Sequence, residues 1–181
     1  HSSANHFGYL LCCKFHTFTR ILLFARKDSK KKKNSIIFAP NFLIMHQYQT
    51  TTLPSGLRVI VLHSSSPVIY CGLAVGAGTR HEKPGEEGLA HFCEHISFKG
   101  TRHRSALQII NALEGVGGEL NAFTQKEDTV YYCAIKRQHL SRAIDVLTDI
   151  VFQSEYPQQE VEKECEVVCD EIESYEDSPE I

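Results

Sequence analysis

Between Glu86 and Thr101 the chain reads EEGLAHFCEHISFKGT, which puts two histidines and a glutamate into five positions: His91, Glu94 and His95. Imidazole and carboxylate are the side chains that ligate zinc and move protons near neutral pH, so the triplet points to metal-assisted acid–base chemistry. On a helix, His91 and His95 lie one turn apart and project from the same face, the spacing that lets two imidazoles hold one zinc ion (Zn2+). Glu94 is offset from His95 by one position. It stands beside the metal without ligating it, where a general base for an attacking water belongs. Cys93 lies two positions from each histidine and points away, as a packing thiol. Leu89, Phe92 and Ile96 give this helix its buried side.

A catalytic zinc takes three protein ligands and keeps one position open, so a third group must arrive from elsewhere in the fold. The C-terminal segment supplies candidates. Read as a helix, it carries Glu164 and Glu171 seven positions apart, almost in register along one face, with Glu160, Glu162, Glu166, Glu173 and Glu176 scattered around it. Spacing alone does not choose among them.

The elements that must position these groups are readable from Met45 onward. YQTTTLPSGLRVIVLH predicts strand, turn at Pro54-Ser55-Gly56, and strand; PVIYCGLAVGAG predicts a central strand. A helix follows from about Glu87 to Phe98. Ser105 caps a second helix with Ala106, Ile109, Ile110 and Leu113 inward, ended by Gly115, Gly117 and Gly118. ELNAFTQ and DTVYYCAI read as neighbouring strands. Two helices close the series, one with Leu140, Ala143, Ile144, Leu147 and Val151 inward, one with Val161, Cys165, Val168, Ile172 and Tyr175 inward. The order β-β-β-α-α-β-β-α-α predicts an α+β fold, an antiparallel or mixed sheet with helices packed on one face.

Composition sets the outer bounds. Of 181 residues, 42% are hydrophobic and 23% charged, enough for a sizeable core. Residues 1–44 carry eight Lys or Arg against the single acid Asp28, while the remainder carries eleven bases against twenty-one acids. An acidic body argues against nucleic-acid binding. No apolar run approaches the roughly eighteen residues of a membrane span. Seven cysteines without a CxxC pair predict buried thiols at Cys71, Cys93, Cys133, Cys165 and Cys169 in a reducing compartment, and His63, His81, His103 and His139, which show no partner pattern, read as surface residues. Residues 1–44, with the Lys30–Lys33 run and no sustained period, read as a leader upstream of a start at Met45. The location is then cytoplasmic, or mitochondrial or otherwise organellar if the segment is a transit peptide. Residues 45–181 form the second region, which stops at YEDSPEI without a closing element and so reads as incomplete.

Three segments in order, GEEGLAHFCEHISFKGT, GGELNAFTQKEDTVYY and EKECEVVCDEIESYEDSP, resemble the M16 metallopeptidases, the inverzincin family of insulysin, pitrilysin and mitochondrial processing peptidase. The resemblance covers residues 46–181 and implies a metallohydrolase fold of the processing-peptidase type. It implies Glu171 as the third zinc ligand, Glu164 as a supporting catalytic-site glutamate, and Glu94 as the base that takes a proton from water during hydrolysis of a peptide bond. It further implies that GGELNAFTQ is an edge strand. An extended peptide substrate would add to that edge through backbone groups around Asn121, Ala122 and Phe123. The family is built of two related halves, so the resemblance implies a second half or partner subunit. Two other readings use the same residues. One is a non-catalytic relative that grips peptides or scaffolds a complex, against which the intact His91, Glu94, His95 and Glu171 speak. The other is a lyase like S-ribosylhomocysteinase, whose third ligand is a cysteine, here Cys165.

Overall fold

The structure is a computed structural model that describes residues 19–24, 48–62 and 66–176. Met45, the Lys30–Lys33 run, His63 and residues 177–181 lie outside the described residues, as do the side chains of Ile172 and Tyr175. In chain order the elements are β1 (Thr19–Phe24), β2 (Tyr48–Thr52), β3 (Arg58–Leu62), β4 (Val68–Val75), α1 (Leu89–Ser97), α2 (Ala106–Glu114), β5 (Glu119–Thr124), β6 (Thr129–Lys136), α3 (Leu140–Gln153) and α4 (Gln158–Glu176), with single 3-10 turns at Thr79–His81 and Arg137–His139. Among the described residues no helix is long and apolar enough to cross a membrane.

The six strands form one mixed sheet in the order β2-β3-β1-β4-β6-β5. β1 runs parallel to β3 and antiparallel to β4, and the other neighbours are antiparallel. β1 falls inside the 1–44 segment, where no strand is predicted. TRILLF lacks both alternation and flanking turn residues, so nothing local marks it as a strand.

Alternation along β4 and β6 decides which face is covered. Ile69, Cys71, Leu73 and Val75 of β4 and Tyr131, Cys133 and Ile135 of β6 meet Ile109 and Leu113 of α2 and Ala143, Val146, Leu147 and Ile150 of α3 in one buried cluster. Cys71 and Cys133 sit directly opposite each other with sulfurs 3.4 Å apart. The neighbouring thiol and burial both push Cys71 above the ordinary thiol range. On α2 the expected stripe is corrected at one position: Ile109 and Leu113 are fully buried, whereas Ile110 turns to the exposed side. Ser105 caps this helix as its sequence predicts, accepting from the Gln108 amide in a capping box. The helix ends with Gly118 donating to Leu113 and Gly117 to Glu114, a closure that places Gly117 at φ +74.

The loop from α1 to α2 is fastened to the C-terminal end of α3. Arg102 N donates to Gln153 O and Glu155 N to Gly100 O. Beneath them Asp149 is nearly fully buried. Thr101 Oγ1 donates to it at 2.7 Å, His103 Nδ1 lies 2.7 Å away, and Arg104 reaches it at 2.5 Å. His103 is exposed, as its sequence reading has it, and also engages Asp149; the contact joins positions 46 apart, which local spacing cannot register. Burial alone would raise the Asp149 pKa. The bonds from His103, Thr101 and Arg104 outweigh that and hold it below the ordinary aspartate value. A depressed folded pKa means the stabilisation is present above the unfolded pKa and lost as pH falls through the folded one. Asp149→Asn is expected to lower stability by about 2 kcal/mol at neutral pH. In denaturant titrations its deficit against the parent should shrink below about pH 4. An undiminished gap at lower pH would contradict this account.

Candidate metal centre

The turn leaving β4 sets up the entry to α1. Gly78 lies so close to the β5–β6 hairpin that a Cβ there would strike the Gln125 carbonyl, and Thr79 N and Arg80 N donate to Gln125 O and Lys126 O. Ten residues on, Gly88 adopts φ +84 and starts α1. The Glu82 carboxylate reaches forward to cap that start, accepting from Gly88 N at 3.1 Å and Ala90 N at 2.8 Å. A negative group satisfying free amides at a helix N-terminus stabilises it both as a hydrogen-bond acceptor and against the helix dipole. At the far end, Ser97 Oγ donates to Cys93 O and Ser154 Oγ donates to Ser97 O. α1 is thus fixed at both ends. Its buried residues are Cys93, Glu94, Ile96 and Ser97, so Leu89 and Phe92 are only partly covered, in contrast to the predicted inner side.

α4 packs against α1 and turns an unexpected face toward it. Val161, Glu164, Val168 and Glu171, spaced three, four and three apart, are among its sheltered positions, while Cys165 and Cys169 are exposed. The expected stripe through Cys165 is corrected. The helix is rotated so that acids rather than thiols face inward, because His95 of α1 and Lys99 just after it offer hydrogen-bonding and cationic partners there. Glu164 shows the effect most clearly. Its side chain is 5% exposed, with one oxygen 3.0 Å from His95 Nδ1 and the other 2.5 Å from Lys99 Nζ. Buried carboxylates persist when both oxygens are satisfied in this way.

Three ligand atoms converge where the helices meet. His91 Nε2 and His95 Nε2 are 3.0 Å apart, and Glu171 Oε2 lies 3.4 Å from the latter and 3.9 Å from the former. Two atoms each about 2.0 Å from a tetrahedral zinc are roughly 3.3 Å apart. The observed edges bracket that separation, and two imidazoles with one carboxylate suit the ion. Among the described residues, His91, His95 and Glu171 form a group whose ligand atoms lie close enough together to hold a metal ion. Glu164 bonding to Nδ1 of His95 fixes the ring so that Nε2 points into the cluster.

Glu94 does not join this cluster. It is mostly buried, and its Oε2 accepts from Thr124 Oγ1 of β5 at 2.6 Å. β5 ends the sheet, so one of its edges has no neighbouring strand among the described residues. Leu120, Ala122 and Thr124 face the helices; Asn121 and Phe123 face outward, and the Phe123 ring lies against Tyr132. The Ala122 amide donates to Asn121 Oδ1 at 2.8 Å. Sequence reasoning missed Lys99, Thr124 and Glu82. Each works through a contact to a residue distant in the chain or in an unmarked loop, and none carries a spacing signal.

The model of the insulinase family (peptidase family M16) matches residues 58–181. The chain belongs to the M16 family. A relative from Bacillus subtilis, named as the uncharacterized zinc protease YmxG, is 43% identical over 130 residues, covering 71% of this chain and 32% of its own length. The beta subunit of the mitochondrial-processing peptidase of Rattus norvegicus is 40% identical over 128 residues, 71% of this chain and 26% of the subunit. The crystal structure of a protease from Helicobacter pylori superposes with TM-score 0.68 at 26% identity, over 70% of this chain and 31% of that one. The chain spans about a third of the length of the curated relatives it matches. Within the M16 frame the exposed Cys165, turned away from the imidazoles, does not take the ligand position that a lyase of the S-ribosylhomocysteinase kind requires.

The network behind His95 yields a measurable outcome. Zinc affinity, determined by competition with a chromophoric chelator, is expected to fall about 10–100-fold in Glu164→Ala. Lys99→Met should weaken it in the same direction. Unchanged affinity in Glu164→Ala would remove the orienting role of that carboxylate.

Proposed function

We propose that this chain carries the catalytic site of a zinc metalloendopeptidase that hydrolyses peptide bonds in extended peptides. The observation that carries this reading is the convergence of His91 Nε2, His95 Nε2 and Glu171 Oε2 within ligand distance of one another, with the buried Glu94 on the same helix as the two histidines. His91, His95 and Glu171 would hold the ion, with Glu164 behind His95 keeping its Nε2 free for it. Zinc, when bound, supplies Lewis-acid polarisation of water and of the scissile carbonyl.

The remaining work falls to the chain's own side chains and backbone. Glu94 takes the proton from the attacking water and returns it to the leaving amine. Its position on α1, one residue before His95, keeps the carboxylate near the reacting atoms. A substrate strand pairing with the open edge of β5 is held by main-chain hydrogen bonds, which tolerate many sequences. The Ala122 amide is one such donor; the Asn121 side chain that now occupies it would give way to a substrate carbonyl. Phe123, 40% exposed on the outward face beside Tyr132, offers an apolar contact for a substrate side chain.

This reading includes a second half or partner subunit that closes over the peptide, supported by the chain's one-third share of its relatives' length. The test therefore uses the chain assembled with that second half. With zinc loaded, an unstructured peptide should be cleaved, and Glu94→Gln should lower kcat by about 10²–10⁴-fold while leaving zinc content at the parent level. Cleavage by Glu94→Gln at the parent rate would overturn the general-base assignment.

A further inference from the structure

Thr124 is the last residue of β5 and lies opposite Thr129 of β6. The two hydroxyls are 3.4 Å apart, and each proton is already committed: Thr129 Oγ1 donates to Ala77 O at 2.9 Å, and Thr124 Oγ1 to Glu94 Oε2 at 2.6 Å. We propose that Thr124 is a positioning residue that ties the peptide-docking edge strand to the catalytic base; the inference rests on the hydrolytic reading given above.

The physical case has three parts. A β-branched side chain on a strand has few χ1 choices, so the position of the β5 backbone determines where the Thr124 hydroxyl points. Thr129 narrows that further. It is 2% exposed and pinned to the Ala77 carbonyl, which leaves it as a fixed wall behind Thr124. The second part is the choice of oxygen. The hydroxyl occupies Glu94 Oε2, and no partner among the described residues holds Oε1, so the carboxylate is presented with one oxygen anchored and one available for proton transfer. A short hydrogen bond to an ionised carboxylate is stronger than a neutral one, and a glutamate so held loses the rotational freedom that misplaces a base.

The third part is the geometry of the strand itself. Thr124 follows Phe123, and both belong to the strand whose free edge would pair with a peptide. An added strand rigidifies β5 over Asn121–Phe123. That steadies the next residue, and through its hydroxyl the orientation of Glu94. Docking and chemistry are coupled through one side chain. A purely structural hydroxyl, present only to satisfy a buried carboxylate, would affect folding without changing turnover per folded, zinc-loaded molecule.

The experiment measures kcat, KM, zinc content and thermal stability of Thr124→Val and Thr124→Ser in the chain assembled with its second half, using an extended peptide, with Glu94→Gln as reference. Val keeps the shape and removes the donor; Ser keeps the donor. The expected result is a kcat about 10–100-fold lower in Thr124→Val, KM within about two-fold, zinc content unchanged, and Thr124→Ser within a few-fold of the parent. If Val is not accommodated, Thr124→Ala carries the same comparison. Parent-like kcat in the donor-less variant, or a Ser variant as slow as Val, would overturn the proposal while Glu94→Gln remains inactive. A zinc-loaded parent that cleaves nothing, or an active Glu94→Gln, would instead sink the hydrolytic reading on which the proposal stands.

Discussion

The contact between α1 and α4 is the constraint on which the site depends. It is a polar seam between two otherwise apolar-packed helices, and its centre is a buried carboxylate. Glu164 sits between the Nδ1 of His95 on α1 and the ammonium of Lys99, which follows the end of that helix. A carboxylate this sheltered is unfavourable unless both oxygens are satisfied, so His95, Lys99 and the acid on α4 stabilise the contact only together. The same seam sets the rotation of α4. Once Glu164 faces inward, Glu171, two turns further on, must arrive beside the Nε2 atoms of His91 and His95.

The rest of the fold can be read as support for that seam. The sheet and α3 form a dry core that holds α2 and the α1–α2 loop, and the Asp149 cluster fastens the loop directly after Lys99. Glu82 secures the opposite end of α1. On the other flank, β5 reaches Glu94 through Thr124. α1 therefore carries three tasks on three faces: packing through Cys93 and Ile96, metal geometry through the histidines, and a base directed at the edge strand. The helix is short, nine residues, which suits an element whose placement is imposed from outside rather than by its own length.

Much of this was legible in the residues, and the division is physical. His91, Glu94 and His95 lie within one helical turn, so their spacing alone states their relation. The order of strands and helices from Met45 also follows from period and turn chemistry, as does the Ser105 cap. Glu171 was one of several acids on the same helix, and only the likeness to the M16 family singled it out. The inward face of α4 differs from the one its apolar residues mark. Hydrophobicity ranks Cys165 above Glu164 as a buried residue, and the ranking is reversed by an imidazole and a lysine sixty-odd positions away. Thr124, Lys99 and Asp149 were invisible for the same reason: each owes its role to a partner that the sequence does not place beside it. β1 went unseen because TRILLF carries no alternation and gains its strand character from β3 and β4.

The central claim is that one zinc ion is held by two imidazoles from α1 and a carboxylate from α4. X-ray absorption at the zinc edge, on protein loaded with one equivalent, reports the ligand atoms directly. The account predicts a first shell of nitrogen and oxygen at about 2.0–2.1 Å, with the outer-shell scattering of two imidazoles and no sulfur. In Glu171→Ala the imidazole signal should persist while the first shell loses a protein oxygen. A sulfur scatterer at about 2.3 Å, or a shell without imidazole, would contradict the clasp between the two helices.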